Sequence, residues 1–135
     1  MTSLFKPGVN LVEQIIVHQD TRGIFSNIPF DVHWSEINYV ESISGVSRGN
    51  HYHQFSTELF VLIEGFLTVK YASVSFDGKG KPYKTSWTQQ SFNAGQIFYI
   101  SPMTWHCFHL EQPSKWFAMM STPHASDNLD VVKLD

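Results

Sequence analysis

The chain has 135 residues, 42% hydrophobic and 16% charged, with a formal net charge of −3 at pH 7. This length suits one domain with a buried core, and the acidic balance leaves no basic field to hold nucleic acid or an anionic membrane surface. A single cysteine, Cys107, excludes an internal disulfide and makes cytoplasm the expected location, and no signal peptide or apolar span of about 18 residues can be read.

Short runs of β-branched and aromatic residues, broken by Gly, Pro, Asp and Ser clusters, recur along the whole chain, and no segment holds a helical period, which predicts an all-β protein. In chain order the expected strands are Gln14 to Val17, Glu36 to Ile43, Glu58 to Ile63, Phe66 to Ala72, Lys84 to Thr88, Gln96 to Ile100, Trp105 to Leu110 and Trp116 to Met120. Turn residues separate them at Asp20 to Gly23, Gly45 to Gly49, Glu64-Gly65, Asp77 to Pro82, Asn93 to Gly95 and Gln112 to Ser114. Strands this short and numerous fit a sandwich or a barrel. Asp77 to Pro82 lacks the spacing of a phosphate loop and reads as a solvated hairpin tip. The tail from Ser121 to Asp135 is polar after Thr122 and reads as a docked extension or a frayed end.

The chemistry concentrates in "RGNHYHQFSTELFVLIEG", residues 48 to 65. In an extended strand alternate residues share a face, so His51 and His53 project together. Glu58 opens the next strand and can close on the same point, and His106, within "FYISPMTWHCFHL", offers a third imidazole. Three neutral imidazoles and a carboxylate suit a borderline divalent ion. Strand alternation puts His109 on the opposite face from His106, outside the set. Neighbouring hydrogen bonds are the alternative way to satisfy such a cluster. Aromatic side chains at Phe60, Tyr71, Trp105, Phe108 and Trp116 are either core or cavity lining, and Cys107 reads as a small buried hydrophobe.

Gly45, five residues, His51, one residue, His53, four residues, Glu58, six residues and Gly65 match the first cupin motif at each defined position. A second motif follows from Gly95 through Ser101-Pro102-Met103-Thr104-Trp105-His106, with the proline displaced by one and Met103 where the family has glycine. The chain thus resembles the cupin superfamily over about residues 36 to 120. The resemblance implies a single-domain, double-stranded β-helix (jelly-roll) barrel over residues 1–135, with N-terminal strands in 1–35, a core in about 36–120 and a tail in 121–135.

The string Arg48-Gly49-x-His51 resembles dTDP-4-dehydrorhamnose 3,5-epimerases and sugar-nucleotide 3,4-ketoisomerases, and the longer stretch is similar to the cupin domain of capsular polysaccharide synthesis epimerases. This resemblance implies a keto-sugar nucleotide as partner and a divalent metal at His51, His53, Glu58 and His106, zinc first, with iron, nickel or manganese as alternatives. It also implies His51 as epimerase base, Arg48 as a catalytic or substrate-binding group, and a homodimer paired through an N-terminal strand such as Gln14 to Val17. One imidazole cannot both ligate an ion and accept a proton, and the ligand role for His51 is favoured. The epimerases use a late-strand tyrosine as acid, and this chain has none after Tyr99, which leaves Tyr39, Tyr52 and above all Tyr99 for that role. Glu58 counts against the ketoisomerase branch. Substrate contacts are expected from Arg48, Trp105, Phe60 and Tyr71. The readings that compete with a sugar epimerase are a non-haem metal dioxygenase and a non-catalytic small-ligand-binding cupin.

Overall fold

In the computed structural model, which describes residue 4 and residues 6–122 and 129–135, the chain forms thirteen β-strands and no helix among the described residues. They are β1 (Val9–Val12), β2 (Ile15–Asp20), β3 (Gly23–Asn27), β4 (Glu36–Ser42), β5 (Val46–His53), β6 (Glu58–Glu64), β7 (Phe66–Phe76), β8 (Pro82–Lys84), β9 (Thr88–Asn93), β10 (Ile97–Ile100), β11 (Thr104–Leu110), β12 (Ser114–Met120) and β13 (Val131–Lys133). One sheet runs β1-β10-β6-β12-β4 and a second runs β13-β5-β11-β7-β8, with β9 also on β7. All the pairings are antiparallel. This is the jelly-roll architecture that the motif spacing implies.

The period-two pattern is clear in β12, where every second residue from Ser114 to Met120 is buried. The inward residues of both sheets, among them Phe60, Leu62, Leu67, Phe98, Phe108 and Trp116, make the main core, in which the Phe98 ring stacks on Phe60 at 4.9 Å and on Phe92 at 4.0 Å. The outer face of the first sheet carries a second cluster, where Leu59 and Tyr99 are covered by Ile28, Phe30, Val32 and Trp34. A third lies outside the second sheet, where Val132 and Leu134 pack on Tyr52, Trp105 and Cys107. The run from Leu59 to Ile63 is apolar on both faces because β6 faces the barrel interior with Phe60 and Leu62 and an outer layer with Leu59.

Several expected boundaries move. Gly45 to Gly49 is not a turn throughout, since β5 already begins at Val46 and Gly45 N–H donates to Leu110 O at 2.7 Å. The segment Lys84 to Thr88 spans the gap between β8 and β9 rather than one strand. β1, β3 and β13 carry too few residues or too little alternation to stand out. Asp77 to Pro82 is an exposed turn in which Asp77 Oδ1 accepts the Lys79 and Lys81 amides. Of the tail, residues 129–135 form a docked extension bearing β13, and residues 123–128 lie outside the described residues. No helix among the described residues is long and apolar enough to cross a membrane.

Candidate functional site

Strict alternation would put Arg48 and His51 on opposite faces of β5, yet both line the same cavity. A β-bulge reconciles them. Opposite β11, His51 pairs with His106 while Gly49 pairs with Cys107, so Asn50 is the extra residue. Gly49 and Asn50 take φ of 98° and 59°, conformations suited to glycine and tolerated by asparagine. The Asn50 side chain points outward, where its Oδ1 accepts from Trp105 Nε1 at 3.0 Å. A Cβ on Gly49 would lie 2.9 Å from the His106 carbonyl oxygen, so this glycine also permits the close approach of β5 and β11.

The bulge brings four donors together from three strands. His51 and His53 come from β5, His106 from β11 and Glu58 from β6 in the facing sheet, and one donor atom of each lies within 4.8 Å of the others. His53 and His106 stack nearly parallel at 6.0 Å, and His51 stands edge-on to both, at 5.1 and 4.8 Å. Met103, at the glycine position of the second motif, takes φ of 60° itself. Its amide donates to His53 O at 2.7 Å and its carbonyl accepts from Val74, so the turn before His106 closes without glycine.

Two of the imidazoles are held from behind. His53 Nδ1 lies 2.7 Å from Asp130 Oδ2, and His106 Nδ1 lies 3.0 Å from the Thr104 carbonyl. A carboxylate and a carbonyl can only accept, so both Nδ1 atoms carry the hydrogen, which in the neutral rings leaves the Nε2 lone pairs facing Glu58. His53 Nε2 and Glu58 Oε1 are 2.8 Å apart, buried, and off the line of a hydrogen bond. Two such atoms share a buried site stably only with a proton or a cation between them. Burial opposes a charge on His53, but Glu58 and Asp130 outweigh it and push its pKa up to about 9. Burial likewise raises Glu58, yet His106 and His53 prevail and hold it well below the usual carboxylate range. Burial, with His106 next, pushes His51 down to about 3, so that ring is neutral. The His₃Glu set fits a borderline divalent cation.

Three of the donors, His51, Glu58 and His106, line a cavity of about 330 Å³, with Asn38 and Arg48 also on its polar side and Phe60, Phe108 and Trp116 on the apolar side. Arg48 Nε donates to Ser42 Oγ at 2.9 Å, and the side chain makes no ion pair among the described residues. Three expected residues lie elsewhere. Phe98 and Ile100 point into the core, so Tyr99 between them faces the outer layer with Leu4 and Val12. Trp105, next to the inward His106, packs outside the second sheet and donates to Asn50 Oδ1 and Leu134 O. Tyr71 packs against the main core without lining the cavity. Tyr39 is exposed, and Tyr52 is buried in the outer layer. His109 points away, next to Ser47 Oγ at 3.2 Å, as alternation requires. Asn38 and Asp130 were not anticipated. Asn38 alternates with Val40 on β4, a weak signal, and Asp130 is separated from His53 by 77 positions.

The chain is 29% identical over 70 residues to a UDP-2-acetamido-2,6-beta-L-arabino-hexul-4-ose reductase of Pseudomonas aeruginosa, a match covering 52% of this chain and 19% of the reductase. The matched region thus spans about a fifth of that curated relative. Among solved structures, a variant of a sugar 3,4-ketoisomerase from Thermoanaerobacterium thermosaccharolyticum, in complex with TDP-4-keto-6-deoxyglucose, superposes with a TM-score of 0.64 at 15% identity, covering 96% of this chain and 88% of that one. A dTDP-4-dehydrorhamnose 3,5-epimerase from Elizabethkingia anophelis gives 0.68 at 16% identity, covering 92% and 75%. These likenesses show the cupin jelly-roll fold. A family model described as the polysaccharide biosynthesis C-terminal domain matches residues 18–100, more than half of the chain, and this protein belongs to that family.

Proposed function

We propose that this chain is a metal-binding cupin enzyme that moves a proton α to the ketone of a nucleotide-linked keto sugar in surface-polysaccharide synthesis. The observation that carries the reading is the convergence of His51, His53, Glu58 and His106, three of which line a cavity that also receives an arginine with no carboxylate partner among the described residues. The family match to polysaccharide biosynthesis supports it, as do a relative that acts on a UDP-linked hexulose and a solved neighbour bound to a TDP-linked keto sugar.

The roles follow from the surroundings of each group. His53, Glu58 and His106 are buried, the two imidazoles are pinned from behind, and the three form the fixed part of the cation site. A divalent cation there would supply an electrophile for the substrate carbonyl oxygen. His51 is half-buried, lines the cavity and makes no side-chain hydrogen bond among the described residues. A ring that is not locked in place can turn toward the substrate, so His51 is assigned the α proton in place of the ligand role favoured from the sequence, although burial holds its affinity for a proton low in the metal-free chain. The cavity, at the small end of ligand pockets of about 300–1,000 Å³, has room for the sugar ring against Phe60, Phe108 and Trp116, with the nucleotide extending outward. Arg48, exposed, grips a diphosphate oxygen with its planar fork.

The test combines metal analysis with solvent-deuterium exchange into UDP- and TDP-4-keto sugars. His53→Ala and Glu58→Ala are expected to lose stoichiometric metal, whereas His51→Ala keeps it and loses exchange. If His51→Ala strips the metal as fully as His53→Ala, His51 is a ligand and its role as base is withdrawn. Among the described residues the cavity lining contains no tyrosine to act as a general acid, which favours a non-catalytic ligand-binding cupin as the second reading. Absence of exchange in a metal-loaded chain that still binds sugar nucleotides would decide for it.

The hairpin β2-β3 supports a homodimer. Ile15, Ile16, Val17, Ile24 and Phe25 are each 57–62% exposed on a ribbon that pairs with neither barrel sheet. A second copy of the chain, covering these side chains, is the proposed partner.

A further inference from the structure

Asp130 is fully buried, the most completely enclosed acidic group among the described residues, and its two oxygens are divided between two tasks. Oδ1 accepts the amides of Phe55 and Ser56, at 2.6 and 3.0 Å. Oδ2 accepts from Ser56 Oγ at 2.6 Å and from His53 Nδ1 at 2.7 Å. The cradle is therefore the short connection between β5 and β6, which separates His53 from Glu58. Burial raises the pKa of Asp130, but the hydrogen bonds from Ser56, His53 and the two amides outweigh it and keep the group ionised.

The backbone brings Asp130 there with little freedom. β13 pairs with β5 so that Val131 lies opposite His53 and Lys133 opposite His51, and Gln54 N–H donates to Asp130 O at 2.7 Å. Gln54 Nε2 also bonds to Leu129 O, and Trp105 Nε1 anchors the segment at Leu134 O. A buried carboxylate costs several kcal/mol in lost hydration unless its partners restore it, so ordinary packing would be served as well by an apolar side chain.

We propose that Asp130 is a positioning residue of the cation site, holding the His53 ring in the orientation and the tautomer that present Nε2 to an ion. This rests on the reading of His53 as a cation ligand. An acceptor behind a ligating imidazole keeps hydrogen on the far nitrogen and raises the basicity of the near one, and loss of such a partner typically weakens metal binding about 10–100-fold. Asn at this position keeps an acceptor for the two amides but turns an N–H toward His53 Nδ1. That nitrogen must then accept, the hydrogen moves to Nε2, and ligation is blocked.

The variants Asp130→Asn and Asp130→Ala separate this role from packing. Equilibrium dialysis with Zn²⁺, and the visible spectrum of the Co²⁺-loaded chain, measure the site; thermal unfolding of metal-free protein measures the fold. Asp130→Asn is expected to bind Zn²⁺ at least tenfold more weakly than wild type and no better than Asp130→Ala, although it unfolds nearer to wild type than Asp130→Ala does. Wild-type affinity in Asp130→Asn, or an affinity loss that tracks unfolding across the two variants, overturns the proposal. Proton NMR of the metal-free chain supplies a reading independent of any ion. A far-downfield, slowly exchanging imidazole N–H in wild type that disappears in Asp130→Asn supports the contact even if wild type takes up no metal, an outcome that would remove the ligand reading alone. The same resonance in both proteins, or in neither, overturns it.

Discussion

Gly49 has no side chain, yet it serves two backbone requirements at once. Its φ of 98° belongs to a region that costs other residues about 1–3 kcal/mol, and the space above its Cα is closed by the His106 carbonyl oxygen at 2.9 Å. The obstacle is backbone, so it cannot swing aside. Gly49→Ala is expected to destabilise the chain by about 2 kcal/mol or more, and to separate β5 from β11 where His51 and His106 meet. Denaturant unfolding checks the first effect and Zn²⁺ content the second. A variant with wild-type stability and full metal would mean that the bulge is not under this constraint. Asn50, already in the left-handed region, completes the bulge at lower cost because its short amide tolerates that conformation.

At the level of strands, what the sequence reveals depends on how local each signal is. His51, His53 and Glu58 are legible because they sit within one strand and the start of the next, where spacing nearly determines direction. His106 is legible from its distance beyond Gly95, although Met103 had to supply a positive φ that the motif assigns to glycine. Alternation correctly separates His109 from His106. Trp105 and Tyr99 fell on the outer face because each neighbours an inward residue, His106 and Phe98 or Ile100, a rule available in the sequence that aromatic character alone overrode. The bulge in β5 is not legible in the sequence, since Gly45 to Gly49 carries turn residues and only pairing with β11 shows where the extra residue lies. Asp130 was out of reach, because its partner is a strand 77 positions away and nothing local marks it. The placement of Trp105 has a measurable corollary. Trp105→Phe removes the one Nε1 hydrogen that Asn50 Oδ1 and Leu134 O share, worth about 1 kcal/mol, and loosens the anchor at Leu134 while leaving the cavity lining intact. Unfolding measurements should show the loss, and an unchanged sugar-nucleotide affinity should accompany it. A large fall in affinity with no loss of stability would place the indole in the binding site after all.

For the whole molecule, the two barrel sheets cover each other within one chain while the β2-β3 ribbon pairs with neither of them. An isolated two-stranded hairpin is marginal in water, and this one presents Ile15, Ile16, Val17, Ile24 and Phe25 to solvent in the single chain. Ile16→Glu combined with Phe25→Glu is expected to convert a dimer to a monomer, followed by sedimentation velocity, with Zn²⁺ content unchanged because no residue of the ribbon lines the cavity. A monomeric wild type would overturn the homodimer. At its tip Asp20 accepts the backbone and side chain of Arg22, which holds the turn without help from the barrel.

The position of Asp130 in the chain also orders events during synthesis. Translation delivers His51, His53, Glu58 and His106 to the tunnel exit before the acid that steadies His53, and a sheet whose partners lie far apart in the chain closes late. A nascent barrel lacking β13 would hold His53 without the carboxylate behind it, so on the proposed reading the ring is not steadied until the segment around Asp130 has left the ribosome.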